Sequence, residues 1–244
     1  MPYVDWIADT DFRFVTAALI DSVESCIEKS NENLRRNVID PFTLLFEMSF
    51  FQLSGIEWEK NELRRQAQKA LTNAVGNFHQ KILGSLAGWQ DLGTENQVDL
   101  RNTQRQIIAE VKNKFNTLNS GGLVRLYDTL NALVSKKESV FKGYTAYYVE
   151  IIPKNAVRFD ECFTPSNAST GARCNSISQV RRIDGASFYA LATGVDDALA
   201  QMFMALPKVI CDIKPEYAVP PADWAFIEKF FKCAYSTVCE GGNS

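Results

Sequence analysis

In the stretch "NQVDLRNTQRQIIAEVKNKFNT", residues 96 to 117, Asp99 is followed after ten intervening residues by Glu110 and, two positions on, by Lys112. The run carrying the last two is apolar and branched, as a β-strand requires. In a two-residue repeat Glu110 and Lys112 point one way while Ala109 and Val111 point the other, into a core. If residues 96–103 and 106–114 form a hairpin in which Thr103 faces Gln106, paired residue numbers sum to 209 and Asp99 stands opposite Glu110. Two carboxylates so placed repel, and one pKa rises, unless a cation lies between them. A hard divalent ion such as Mg²⁺ takes oxygen ligands and keeps positions for water and a phosphate. Lys112, on the same face, is placed to orient or help deprotonate an attacking water and to offset phosphate charge. The chemistry on offer is metal-assisted hydrolysis of a phosphate ester. The plainer account of the same residues is a solvated outer face carrying a cross-strand charge pair.

The chain must be large enough to hold such a strand in a packed sheet. At 244 residues, 46% hydrophobic and 23% charged, it can bury a sizeable core. The opening "MPYVDWIADTDF" has acids where a secretory signal would be basic. The most apolar run, "PFTLLFEMSFFQLSGI", is interrupted by Glu47 and too short to span a bilayer, so neither export nor membrane insertion is expected. Six cysteines show no CxxC pair, which points to reduced thiols and away from a zinc or thioredoxin-type site. The net charge of −3 conceals an uneven distribution: residues 1–60 hold 5 Lys/Arg against 11 Asp/Glu, whereas residues 99–154 hold 9 against 5. The basic excess surrounds Asp99, Glu110 and Lys112, where a phosphate backbone would need it.

Several elements must position these residues. Helical spacing covers residues 10–30, a second helix opens at Asp40-Pro41 and runs to about Leu53, and "EKNELRRQAQKALTNAVGNFHQKILGSL" reads as a long third helix. "GWQDL", "NQVDLRNT" and "RQIIAEVKNK" read as three short strands. Gly121-Gly122 then leads into the helix "LVRLYDTLNALVSKKESVF", and "YTAYYVEIIPK" is a further strand. A polar, loop-rich stretch follows from 155, then "VRRIDGASFYALATG" and helical patterns near 195–206 and 222–236. The expected architecture is a single α/β domain over 1–244, with N-terminal helices (1–87), a catalytic core built on a mixed sheet (88–154), and recognition loops, a strand and C-terminal helices (155–244).

Asp99 and Glu110-Val111-Lys112 resemble the PD-(D/E)XK nuclease motif, and the order helix, three strands, helix, strand is similar to that superfamily's core. "EVKNKFNT", with the upstream "GNFHQKILG" and the downstream "RRIDGASFYALATG", more closely resembles type II restriction endonucleases that cut GGNCC-type sites, over roughly residues 30–210. The resemblance implies a Mg²⁺-dependent homodimer that cuts both strands of a short palindrome in double-stranded DNA. It also implies a bacterial cytoplasmic setting beside a companion DNA methyltransferase. One position departs from the motif: Val98, not proline, precedes Asp99. Proline ligates nothing, so the chemistry is unaffected.

In several enzymes of this superfamily a glutamate from an early helix joins the metal site, a place Glu47 would fill; alternatively Thr43, Glu47 and Ser54 form the polar stripe of an amphipathic helix. Asn113, Lys114 and Asn116, directly after the catalytic strand, are candidate phosphate contacts, or simply a solvated strand end. Arg181 and Arg182 are the best candidates to read bases, because an arginine fork bonds O6 and N7 of guanine; the alternative is an ordinary basic surface strand. His79, the only histidine, lacks visible partners for His-base catalysis, so a capping or packing role is expected. Two other readings share part of this evidence: a structure-specific repair or junction-resolving nuclease, and a non-catalytic DNA-binding module.

Overall fold

The computed structural model describes residues 1–29, 38–93, 96–167 and 170–235. Two compact units are present, Phe14–Phe78 and a larger one of Met1–Arg13 with His79–Ser244, the boundary falling inside two helices. In the smaller unit lie most of α1 (Asp9–Glu28), all of α2 (Pro41–Phe50) and the first part of α3 (Gly55–Gly84). Asp40 caps α2 by accepting the Phe42 N–H, with Pro41 at the first helical position. Ser54 is not part of an α2 stripe. It forms a capping box for α3, its Oγ donating to Glu57 and its own N–H bonded to the Glu57 carboxylate at 2.8 Å.

The larger unit is built on a six-stranded mixed sheet in the order β1-β2-β3-β4-β6-β5. Strand β2 (Leu100–Asn102) pairs antiparallel with β1 (Gln90–Asp91) on one side and with β3 (Ile107–Lys114) on the other. After the crossover helix α4 (Ser120–Ser135), β4 (Thr145–Ile152) joins parallel to β3, and β6 (Val180–Asp184) joins parallel to β4. The edge strand β5 (Asp160–Cys162), a polar three-residue segment inside the stretch expected to be loop, pairs antiparallel to β6. Helix α5 (Gly185–Thr193) follows β6 at once, α6 (Ala198–Ile213) and a 3₁₀ turn (Pro215–Tyr217) come next, and α7 (Pro221–Tyr235) closes the described chain. This is the α/β architecture with a helical C-terminal extension expected from the order of elements.

Period-two alternation divides the sheet into two faces. Ile108, Ala146 and Val180, neighbours across β3, β4 and β6, pack under Tyr127, Leu130 and Val134 of α4, together with Val98, Tyr148 and Phe163. Each large apolar side chain fully removed from water here contributes on the order of 1.5–3 kcal/mol. Val98, standing where the motif has proline, is 1% exposed in this cluster, so it anchors the approach to Asp99 by packing. The other face carries Ala109, Val111, Tyr147 and Val149, with the Tyr147 ring 5.9 Å from Phe188 of α5. At the start of α5 no side chain fits: a Cβ on Gly185 would lie 2.4 Å from the Ile151 carbonyl oxygen, so glycine lets the helix seat directly on β4.

His79 is half-buried, its Nδ1 2.9 Å from the Tyr189 hydroxyl, and desolvation lowers its pKa to about 4. It is a neutral packing residue. No helix among the described residues is long and apolar enough to cross a membrane. The five described cysteines are free thiols, and Cys239 lies outside the described residues.

Candidate active site

The β2–β3 hairpin has the register that the sequence arithmetic requires. Leu100 pairs with Ala109, Arg101 with Ile108 and Asn102 with Ile107. The turn at 103–106 is held by the Gln106 N–H donating to the Thr103 carbonyl, with Gln106 at φ 54°, and by the Asn102 side chain accepting from the Arg105 N–H. At Asp99 the ladder departs from a strict pairing. Its N–H reaches the Ala109 carbonyl at 3.0 Å, and its carboxylate accepts the Val111 N–H at 2.7 Å. Residues 96–99 therefore lie outside the strand, and the Asp99 side chain takes the place of a ladder carbonyl beside Glu110.

Asp99, Glu110 and Lys112 come together as expected. The Lys112 ammonium is ion-paired with Glu110. Burial raises the Asp99 pKa, opposed by the Val111 N–H and the Lys112 charge and reinforced by Asp91. Burial also raises that of Glu110, with the negative charge of Asp99 as the next cause and Lys112 opposing both. Two desolvated carboxylates, with the charge of Asp99 pushing Glu110 further toward protonation, form a site a cation would relieve. Among the described residues no third carboxylate, histidine or cysteine completes a cluster of metal ligands. The donor set is thus two carboxylates, with other positions left to water and phosphate. That suits a hard, reluctantly dehydrated divalent ion better than a zinc site.

Three side chains not singled out from the sequence belong to the same neighbourhood. Asp91 of β1 adds negative potential at Asp99; its carboxylate accepts from Gln80 of α3 at 2.8 Å and from the Gly93 N–H at 2.9 Å. Gly84 makes that approach feasible, since a Cβ there would meet the Asp91 Cβ at 2.6 Å. Along β4, Tyr148 is the register partner of Glu110 and Glu150 that of Lys112, so both share the face of Glu110 and Lys112. Glu150 is 4% exposed, and burial raises its pKa against the pull of Arg182. The Tyr148 hydroxyl is buried, its ionisation suppressed first by desolvation and then by the negative charge of Glu150. The polar "Y" and "E" of "TAYYVEII" were the available signal, but only the parallel register places them beside β3.

Adjacent positions on a strand face opposite ways, and the two arginines of β6 do so. Arg182, the register partner of Tyr148, is on the face of Glu110 and Lys112. It pairs with Glu161 at 2.7 Å and Glu150 at 3.7 Å, its guanidinium 4.7 Å from the Phe159 ring centroid. Arg181, the partner of Tyr147, is on the other face, its Nε bonded to Asp160 at 2.6 Å. Lys114 continues the alternation of Glu110 and Lys112 and is exposed. Asn113 turns the other way with its Oδ1 buried and unbonded, and Asn116 is exposed in the turn beyond the strand. Glu47 lies in the smaller unit, where its carboxylate accepts from the Trp58 indole N–H at 2.7 Å.

An antiparallel hairpin leading into a parallel βαβ unit, with two carboxylates and a lysine at the hairpin's inner end, defines a restriction endonuclease-like nuclease core. The sequence profile described as Eco47II restriction endonuclease matches residues 4–214. The chain is 44% identical over 241 residues to the type II restriction enzyme Eco47II of Escherichia coli, covering 96% of this chain and 100% of that protein. It is 28% identical over 214 residues to the type II restriction enzyme Sau96I of Staphylococcus aureus, covering 86% of this chain and 80% of that one. The chain belongs to the Eco47II restriction endonuclease family. It is a type II restriction enzyme, a site-specific endonuclease acting on double-stranded DNA with a divalent metal requirement.

Proposed function

We propose that the enzyme hydrolyses both strands of a short GGNCC-like palindrome with Mg²⁺ held by Asp99 and Glu110, and with Lys112 serving the attacking water. The observation that carries this reading is the Asp99–Glu110 pair, two half-buried carboxylates whose pKa values are raised first by desolvation, that of Glu110 further by the charge of Asp99, beside one ammonium group. When bound, the metal supplies charge neutralisation and a more acidic water. Asp99 is oriented by the Val111 N–H, so it presents its remaining lone pairs without a change of backbone. Lys112, beside Glu110, would hold the nucleophilic water and offset charge on the phosphate being cut. A palindrome presents the same pattern twice about a two-fold axis, so two copies of the chain, one per strand, are the assembly that fits. A bacterial cytoplasm and a companion methyltransferase complete the setting for such an activity.

For recognition we assign the DNA contact to Arg182 rather than to both arginines, because only Arg182 shares the face of Glu110 and Lys112. Lys114, and Asn116 beyond it, are assigned to the phosphate backbone. Arg182→Ala should reduce discrimination between cognate and scrambled duplexes by about 1–3 kcal/mol if it makes a bidentate guanine contact. Arg181→Ala should leave that ratio unchanged. Binding of both variants is measured in Ca²⁺ at two salt concentrations. A uniform loss on all sequences with a shallower salt dependence would make Arg182 a phosphate contact instead, and an altered ratio for Arg181→Ala alone would overturn the assignment.

A further inference from the structure

Helix α2, "PFTLLFEMSF", buries no residue. Leu44, Glu47 and Met48 are its half-buried positions, whereas Phe42, Leu45, Phe46, Ser49 and Phe50 form an exposed stripe at spacings of three and four. Phe42 is 72% exposed, Phe46 57% and Phe50 77%, and Phe51 and Ile56 beyond the helix are 70% and 69% exposed. This is the pattern a helix normally turns toward a core, here turned to solvent. Given the size of these side chains, the open apolar surface is on the order of 800 Å², above the largest patch usual on a monomer and close to one partner's share of a standard interface.

We propose that this stripe is the surface through which two copies of the chain associate, α2 against α2 across a two-fold axis. The stripe carries no charge, so an identical copy brings no like charge against it. The nearest carboxylates are held within their own chain: Asp40 by Phe42 and Thr43, Glu47 by Trp58, Glu57 by Ser54. The Phe46 and Phe50 rings are already stacked, with centroids 6.0 Å apart and planes at 18°, so little side-chain order is lost on docking. A lipid surface fits less well, because residues 1–60 hold 11 acids against 5 bases and would be repelled by anionic headgroups. The same acidity argues against DNA. The proposal gives a location to the two-copy assembly of the proposed function and rests on that reading for its purpose, but the test uses no DNA, so palindromic cleavage and this interface can fail separately.

The test is sedimentation equilibrium of the full chain at about 10 μM. The wild type is expected at twice the 27.4 kDa chain mass. Phe46→Asp and Phe50→Asp should each raise the dimer dissociation constant at least about 30-fold, the scale of losing a hot-spot side chain. Both sites are exposed, so circular dichroism and melting should report an intact fold. Ser49→Arg, which removes no apolar group, provides a second route to the same dissociation. Phe226→Asp on α7, 66% exposed in the wild type, should leave the dimer unchanged. A monomeric wild type, dimers that persist in the α2 variants, dissociation by Phe226→Asp, or a monomer that co-floats with neutral phosphatidylcholine vesicles would each overturn the proposal.

Discussion

Glu110→Gln and Asp99→Asn should each bind a cognate duplex in Ca²⁺ and cut it in Mg²⁺ at least about 10³-fold more slowly than the wild type. A metal positioned at a reacting phosphate is worth several kcal/mol of barrier, and each 1.4 kcal/mol or so is a factor of ten. Stability separates loss of a ligand from loss of fold. Both carboxyls have pKa values raised in the folded chain from the ordinary 3.8 and 4.5, first through burial. A carboxyl with a raised folded pKa favours folding while protonated, and that contribution is lost as pH rises through the folded value. At pH 8 without metal the ionised pair therefore weighs against folding, and the neutral amides relieve it. Scanning calorimetry should find both variants melting no lower than the wild type, and on the order of 2 °C or more higher, at pH 8, with the advantage shrinking toward pH 4. Wild-type-like cutting by either variant, or unfolding of both, would contradict the assignment.

Lys112→Ala should retain DNA binding and folding yet lower the single-turnover cleavage rate by at least roughly a hundredfold, the scale of one positioned proton-transfer or charge-stabilising group. Its ammonium is half-buried and paired with Glu110, so the loss should fall on the chemical step and leave affinity measured in Ca²⁺ within a few-fold. Lys112→Arg keeps the charge but not the compact donor, and should remain impaired. A loss confined to binding would make Lys112 a DNA contact only.

What the sequence made legible was local. A hairpin with one buried face allows few registers, so the alternation in "RQIIAEVKNK" and the turn at 103–106 were enough to bring Asp99 to Glu110. Non-local relations were not legible. Tyr148 and Glu150 join the face of Glu110 and Lys112 only because β4 returns parallel to β3 after α4, and no spacing in the chain encodes that register. Helix α5 was missed because Gly185, Phe188, Tyr189 and Ala192 are buried around much of its circumference, leaving no amphipathic rhythm. Its Asp184 cap, accepting the Ser187 N–H, was the signal present. Strand β5 is three polar residues whose place comes from ion pairs to Arg181 and Arg182. Those pairs also show why adjacent arginines could not be treated as one reading head: once the segment is a strand, they face opposite sides.

The central claim is that one site, built from Asp99, Glu110 and Lys112, cuts DNA at a fixed sequence. The most direct measurement is to digest a DNA of known sequence with the wild type and with Glu110→Gln in Mg²⁺ and to map every end. Wild-type ends are expected at a single offset within every copy of one short palindrome, on both strands, with no ends above background from Glu110→Gln. Ends scattered without regard to sequence, ends clustered at flaps or four-way junctions, or an undiminished pattern from Glu110→Gln would contradict it.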